Sequence, residues 1–246
     1  MNKKNIEIHI ENVSKRFKEI LALDDVSMRF ESGKLYGIIG PAGAGKTTLF
    51  RVMLGLMNAS RGTVFYNKNG NKIPFEEIQE HIAYMPQSQS LYADLSVDEH
   101  LDFFRKLYGL NNDEYEQKKR ELVQLARLND FLDRPAGKLS GGMYKKLGLI
   151  CALLRSPQIM FLDEPTNGVD PISRREFWNL LHDAKNKGIM ILMSTAYMDE
   201  AERCNSVVLM ENGRVLAVGA PDDLLKQYNC RNFDELFLSR RGSVDD

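Results

Sequence analysis

Long apolar runs are missing from this 246-residue sequence. The longest, Leu149 to Leu154, falls far short of the roughly 20 residues that a membrane-crossing helix needs, so any work at a membrane requires spans from another chain. Cysteine is scarce: Cys151, Cys204 and Cys230 are odd in number and not at metal-ligand spacing, which fits reduced thiols in a cytosolic protein. Neither sign of charge dominates. Thirty-three Lys and Arg against 34 Asp and Glu give a net charge of −1, with the signs interspersed, and no basic field points to nucleic acid. Internal repeats and low-complexity linkers are absent too. Met1-Asn2-Lys3-Lys4-Asn5 leads straight into Ile6-Glu7-Ile8-His9-Ile10, an alternating strand pattern rather than a secretion signal. What is present is a 43% hydrophobic fraction, enough for the core of one large α/β domain or two small ones.

The most informative stretch is Gly40-Pro41-Ala42-Gly43-Ala44-Gly45-Lys46-Thr47-Thr48, which fits G-x-x-x-x-G-K-[ST], the phosphate-binding loop. Leu35-Tyr36-Gly37-Ile38-Ile39 before it reads as a buried strand, and Thr48 to Leu54 after it has helical apolar spacing. Glycines let the backbone approach phosphates closely, and a helix N-terminus adds partial positive charge. Lys46 is then expected at the β- and γ-phosphates and the Thr47 hydroxyl on Mg²⁺, so the chain is expected to bind a nucleoside triphosphate.

Along the chain, alternating strands are predicted from residue 6 to 36. Phe17, within Ser14-Lys15-Arg16-Phe17-Lys18, is placed on a loop, either stacked on a base or as a rim or core residue. Arg61 to Gly70 reads as a strand ending in an Asn-Gly turn, and Ile82 to Met85 as another, closed by Pro86-Gln87. Residues 88–154 carry helical patterns alone, including a helix opened by Leu139-Ser140-Gly141-Gly142. Ile159-Met160-Phe161-Leu162-Asp163-Glu164 is an apolar strand ending in two carboxylates, where open α/β sheets bind ligands. Helix Ser173–Lys185, strand Ile189–Ser194, helix Met198–Arg203 and the strands Val207–Met210 and Arg214–Val218 follow, then a tail of two short helices. The fold class is α/β: a P-loop NTPase core, with a mixed sheet and an N-terminal antiparallel part, interrupted by an inserted all-helical subdomain. The chain is expected to be a single domain over 1–246, with the core at 1–87 and 155–220, the helical subdomain at 88–154 and the tail at 221–246.

The phosphate loop, Leu139-Ser140-Gly141-Gly142-Met143 and the strand ending Asp163-Glu164 stand in one order and spacing. With Gln87 they make the chain resemble the nucleotide-binding subunit of ATP-binding-cassette transporters over essentially its whole length. The resemblance implies ATP and Mg²⁺ as ligands. Asp163 is implied as the magnesium-anchoring carboxylate, Glu164 as the catalytic carboxylate that polarises water, and Gln87 as the residue that senses Mg²⁺ and water. It moves Phe17 towards the adenine-stacking role. Ser140, Gly141 and Gly142 are implied to bind the γ-phosphate held by a second cassette, so that two cassettes sandwich two nucleotides. Asp170 is implied to communicate between the two halves. Lys145 and Lys146, in the first turn of the signature helix, are read as a solvated face.

Two departures from the family pattern stand out. Met143 replaces a commoner glutamine and is expected to be tolerated. Ala196, in Thr195-Ala196-Tyr197, stands where the family keeps a histidine on the γ-phosphate, so this site is expected to bind MgATP well and turn over slowly. Ser-Thr-Ala-Tyr-Met-Asp-Glu-Ala and the segment Ser90–Leu101 resemble drug and ABC-2-type exporter cassettes, with Leu91, Tyr92, Phe103 and Phe104 as a groove for a permease helix or, for Phe104 above all, as core. The implied partners are a membrane permease and a second cassette, identical or different, at the cytoplasmic face of the membrane. Two other readings stay open: a non-hydrolysing regulatory cassette, and a soluble cassette ATPase of translation or DNA repair.

Overall fold

The computed structural model describes residues 5–88 and 90–241, so the reading of Met1 to Lys4 as no secretion signal lies outside the described residues. Strands β1 (Ile6–Phe17) and β2 (Ile20–Glu31) form a long antiparallel hairpin. Ile6, Ile8 and Ile10 are buried on one face, as their alternation requires, until the pairing shifts register after Ile10. Strand β3 (Leu35–Ile39) is buried at every residue and leads through the phosphate loop into α1 (Lys46–Met53). Strands β4 (Arg61–Lys68) and β5 (Asn71–Ile73) meet at Asn69-Gly70, both at positive φ, 53° and 83°. Helix α2 (Phe75–Gln79) and strand β6 (Ile82–Met85) follow.

Three helices come next: α3 (Val97–Tyr108), α4 (Asn112–Ala126) and α5 (Gly141–Leu153). Each has a capping side chain. Ser96 and Glu99 form a reciprocal capping box, Asn111 accepts from the Glu114 amide, and Ser140 accepts from the Met143 amide. Between residues 90 and 154 the described residues form no strand beyond one bridge, Ser96 with Pro135. The chain then alternates through β7 (Ile159–Asp163), α6 (Pro171–Asn186), β8 (Met190–Thr195), β9 (Ser206–Glu211) and β10 (Arg214–Gly219). It ends with α7 (Pro221–Gln227) and α8 (Phe233–Arg241).

The strands make two sheets. One, in order β2-β1-β4-β5, is antiparallel; the other runs β10-β9-β3-β8-β7-β6, with β9 to β6 parallel and β10 antiparallel to β9. This is the expected mixed α/β architecture with an antiparallel N-terminal part. One core lies between the two sheets, around Phe30, Phe50 and Phe161. The other lies beneath α5 and α6, around Trp178, Leu147 and Leu162. Strands covered on both faces read as unbroken apolar runs, which is why β3, β7 and β8 look alike in sequence. No helix among the described residues is long and apolar enough to cross a membrane.

Three expectations are corrected. Phe17 is not on a loop: β1 continues to it, and it pairs with Ile20 across a two-residue turn. Residues Met198–Arg203 form a 3₁₀ helix, the tighter form common in short connecting pieces, in place of an α-helix. Lys146 is not solvated. It is 4% exposed, because α6 packs against α5 and places Glu176 2.7 Å from its ammonium.

Candidate active site

Parallel strands β3, β7 and β8 end side by side, with Ile39 opposite Thr195 and Asp163 opposite Ser194, so three chain reversals share one edge of the sheet. The phosphate loop begins where β3 stops. A Cβ on Gly40 would lie 2.1 Å from the Met210 carbonyl oxygen, so the chain passes there only as glycine. Gly45 caps α1 at φ 99°, with β2 close behind it at Ala22. Ala44 is buried and Pro41 half-buried, whereas Ala42 and Gly43 face solvent; Thr48 lies half-buried in the first turn of α1.

Lys46 folds its ammonium under the loop, donating to the Gly40 and Pro41 carbonyls at 2.8 and 2.9 Å, and stands 3.3 Å from Glu164 Oε1. The Thr47 hydroxyl donates to Asp163 Oδ1 at 3.1 Å, and the Ser194 hydroxyl donates to the same oxygen at 2.5 Å. The other oxygen, Asp163 Oδ2, is buried with no hydrogen-bond partner. An orphaned buried carboxylate oxygen beside a threonine hydroxyl is a set of hard oxygen donors, the kind that Mg²⁺ takes a few of while keeping water and phosphate for the rest.

Glu164 has its backbone in the left-handed region, φ 46°, an uncommon conformation for glutamate. Its amide is held by the Ser194 carbonyl at 3.1 Å and hydroxyl at 2.9 Å. Its carboxylate accepts from Gln87 Nε2 at 2.8 Å and from Asn167 Nδ2 at 3.4 Å. The fold thus brings Gly40 to Thr47, Gln87 and the pair Asp163-Glu164 together from three separate stretches.

Ser140, Gly141 and Gly142 lie elsewhere. A Cβ on Gly142 would strike Ser173, and one on Gly141 would meet the Gly168 carbonyl, so the motif leans on Gly168 and the first turn of α6. Asp170 caps α6 by accepting from the Ile172 and Ser173 amides, which holds its carboxyl below the usual range. Phe17, at the tip of the hairpin, is 41% exposed, with the Lys15 ammonium 5.2 Å from its ring centre. Ala196 is exposed just beyond β8. Of the four groove candidates, Tyr92 is exposed and edge-on to Phe103, while Leu91, Phe103 and Phe104 are half-buried.

The sequence reading missed several neighbours. Ser194 was a strand end without a role, although a serine closing an otherwise apolar strand beside Asp163 was a usable signal. Lys145 donates to the Gln87 carbonyl at 3.3 Å; burial pushes its ammonium pKa down while Asp163 and Glu164 pull it up. Tyr84 is pushed up, first by burial and then by Asp163.

The family profile described as "ABC transporter" matches residues 23–167. The probable multidrug ABC transporter ATP-binding protein YbhF of Escherichia coli (strain K12) is 36% identical over 220 residues, covering 89% of this chain and 38% of that protein. The Nod factor export ATP-binding protein I of Sinorhizobium fredii is 36% identical over 233 residues, covering 93% of this chain and 67% of that protein. The chain therefore spans well under half the length of its YbhF relative. Among solved structures, an ATP-binding subunit of an ABC transporter superposes with TM-score 0.82 at 33% identity, covering 95% of this chain and 99% of the other. A nucleotide-free ATP-binding cassette gives 0.77 at 27%, covering 94% and 98%.

Proposed function

The chain belongs to the ABC transporter family of ATP-binding proteins, and from that membership we propose that it binds MgATP, hydrolyses it and thereby drives an export permease. One observation carries the reading. A buried lysine, an unpartnered Asp163 oxygen beside the Thr47 hydroxyl, and a doubly held Glu164 converge at the end of one sheet. Lys46 and the loop amides hold the triphosphate, and Phe17 stacks on its base. Thr47, Asp163 and Gln87 would hold Mg²⁺, which would neutralise charge on the phosphate oxygens. Glu164 orients the attacking water and accepts its proton at the carboxylate that Gln87 already touches.

The sequence boundaries stand as part of this proposal: core at 1–87 and 155–220, helical subdomain at 88–154, tail at 221–246. Ser140, Gly141 and Gly142 serve a second cassette's nucleotide, and the surface around Tyr92 receives the permease at the cytoplasmic face of a membrane. Names of relatives that include multidrug transport and Nod factor export support the exporter assignment. Ala196 offers no donor to transition-state charge, so turnover is slow.

The test is steady-state ATP hydrolysis by the purified chain beside Ala196→His and Glu164→Gln. The expected result is a low rate that rises on the order of a hundredfold with histidine. In Glu164→Gln, hydrolysis is lost while ATP is still bound. Brisk turnover by the unaltered chain refutes the slow site, and no ATP binding refutes the whole reading.

A further inference from the structure

Ala196 leaves the segment after β8 without a polar side chain at that position, but its neighbour Tyr197 is linked to the Glu164 carboxylate. We infer that the Tyr197 hydroxyl positions Glu164 through Asn167, an inference that rests on the hydrolytic reading above. The hydroxyl donates to Asn167 Oδ1 at 3.4 Å, and Asn167 Nδ2 donates to Glu164 Oε2 at 3.4 Å. Contacts of this length commonly shorten as a reacting complex forms.

Chemistry fixes the direction of the relay. An ionised carboxylate only accepts, so Asn167 must turn its NH₂ to Glu164, which leaves its carbonyl oxygen facing the other way and in need of a donor. Tyr197 supplies that donor. Bonds linked in this sense polarise one another, so the carboxylate gains from a hydroxyl it does not touch.

The two ends are also held in register. Asn167 lies in a tight turn whose amides at Asn167 and Val169 donate to the carbonyls of Glu164 and Thr166. That turn is tied to the segment carrying Tyr197: Glu200 is fully buried and accepts from the Thr166 hydroxyl at 3.1 Å and from Trp178 Nε1 at 3.2 Å. The Tyr197 amide donates to Thr195 Oγ1 at 3.0 Å, and the Arg174 guanidinium sits 5.0 Å from its ring centre. Tyr197 is a positioning residue, because it acts through Asn167 on the group that meets water.

Tyr197→Phe keeps the ring under Arg174 and removes one oxygen. Measured with the unaltered chain, Asn167→Ala and the double variant, the relay predicts kcat lowered about tenfold by either change. ATP affinity and melting temperature stay unchanged in Tyr197→Phe. The double variant is no slower than the slower single one, because the two act in series. Turnover within twofold of the unaltered chain in Tyr197→Phe, or additive effects in the double variant, overturns the relay while leaving the ATPase reading intact. A chain with no ATP hydrolysis to lower overturns both.

Discussion

Ser194 shows how much one hydroxyl can organise. It donates to Asp163 Oδ1 and accepts from the Glu164 amide, so a single side chain sets both carboxylates at the end of β7. Solvent does not reach the contact with Asp163, since Asp163 and Ser194 are both 0% exposed. In Ser194→Ala a buried charged oxygen loses its shortest donor, and water does not replace it. The expected cost is about 2 kcal/mol of unfolding free energy with an unchanged denaturant slope, read from urea titration. A cost within experimental error would mean that the backbone alone places Glu164. Glu164 itself, at φ 46°, is where strain is stored, and the two Ser194 contacts to its amide are what hold it.

Between elements, the clearest coupling is α5 to α6. Glu176 accepts from Lys146 at 2.7 Å and from Arg127, beyond the end of α4, at 2.8 Å, so three helices meet at one carboxylate. The two cations are unequal: the Lys146 side chain is 5% exposed and that of Arg127 75%. Glu176→Gln leaves a buried ammonium without its counter-charge and should cost about 3 kcal/mol. Lys146→Met leaves Glu176 with Arg127 and should cost clearly less, and adding Glu176→Gln to it should cost little more. Chemical denaturation of the three variants checks the order. This pair also shows where sequence reasoning stops. The loop from Gly40 to Thr48 was legible because strand, glycines and helix start are contiguous, and Asp163-Glu164 because they end an apolar run. Lys146 was not, since the residue that decides its environment lies 30 positions away on a helix whose packing no local pattern specifies. Phe17 failed for a related reason: Ser14-Lys15-Arg16 lacks alternation, and the strand exists there because β2 and β4 supply partners.

At the scale of the whole molecule, the three thiols report on integrity. Burial pushes the Cys151 and Cys204 thiols far up, whereas Cys230 is half-buried near the surface. A thiol reagent at about pH 8 should therefore label one cysteine quickly in the native protein and the other two at a rate set by opening of the fold. Three fast thiols would show that the interior beneath α5 is loose. The site has its own form of closure. Lys46 and Glu164 stand 3.3 Å apart, so the cation proposed to hold phosphate and the carboxylate proposed to activate water are paired with each other. In the proposed mechanism an anion that takes Lys46 competes with Glu164 for its charge, and a carboxylate so displaced is freed as its reactant arrives. On the proposed reading, this ion pair is a catch that the nucleotide itself would lift.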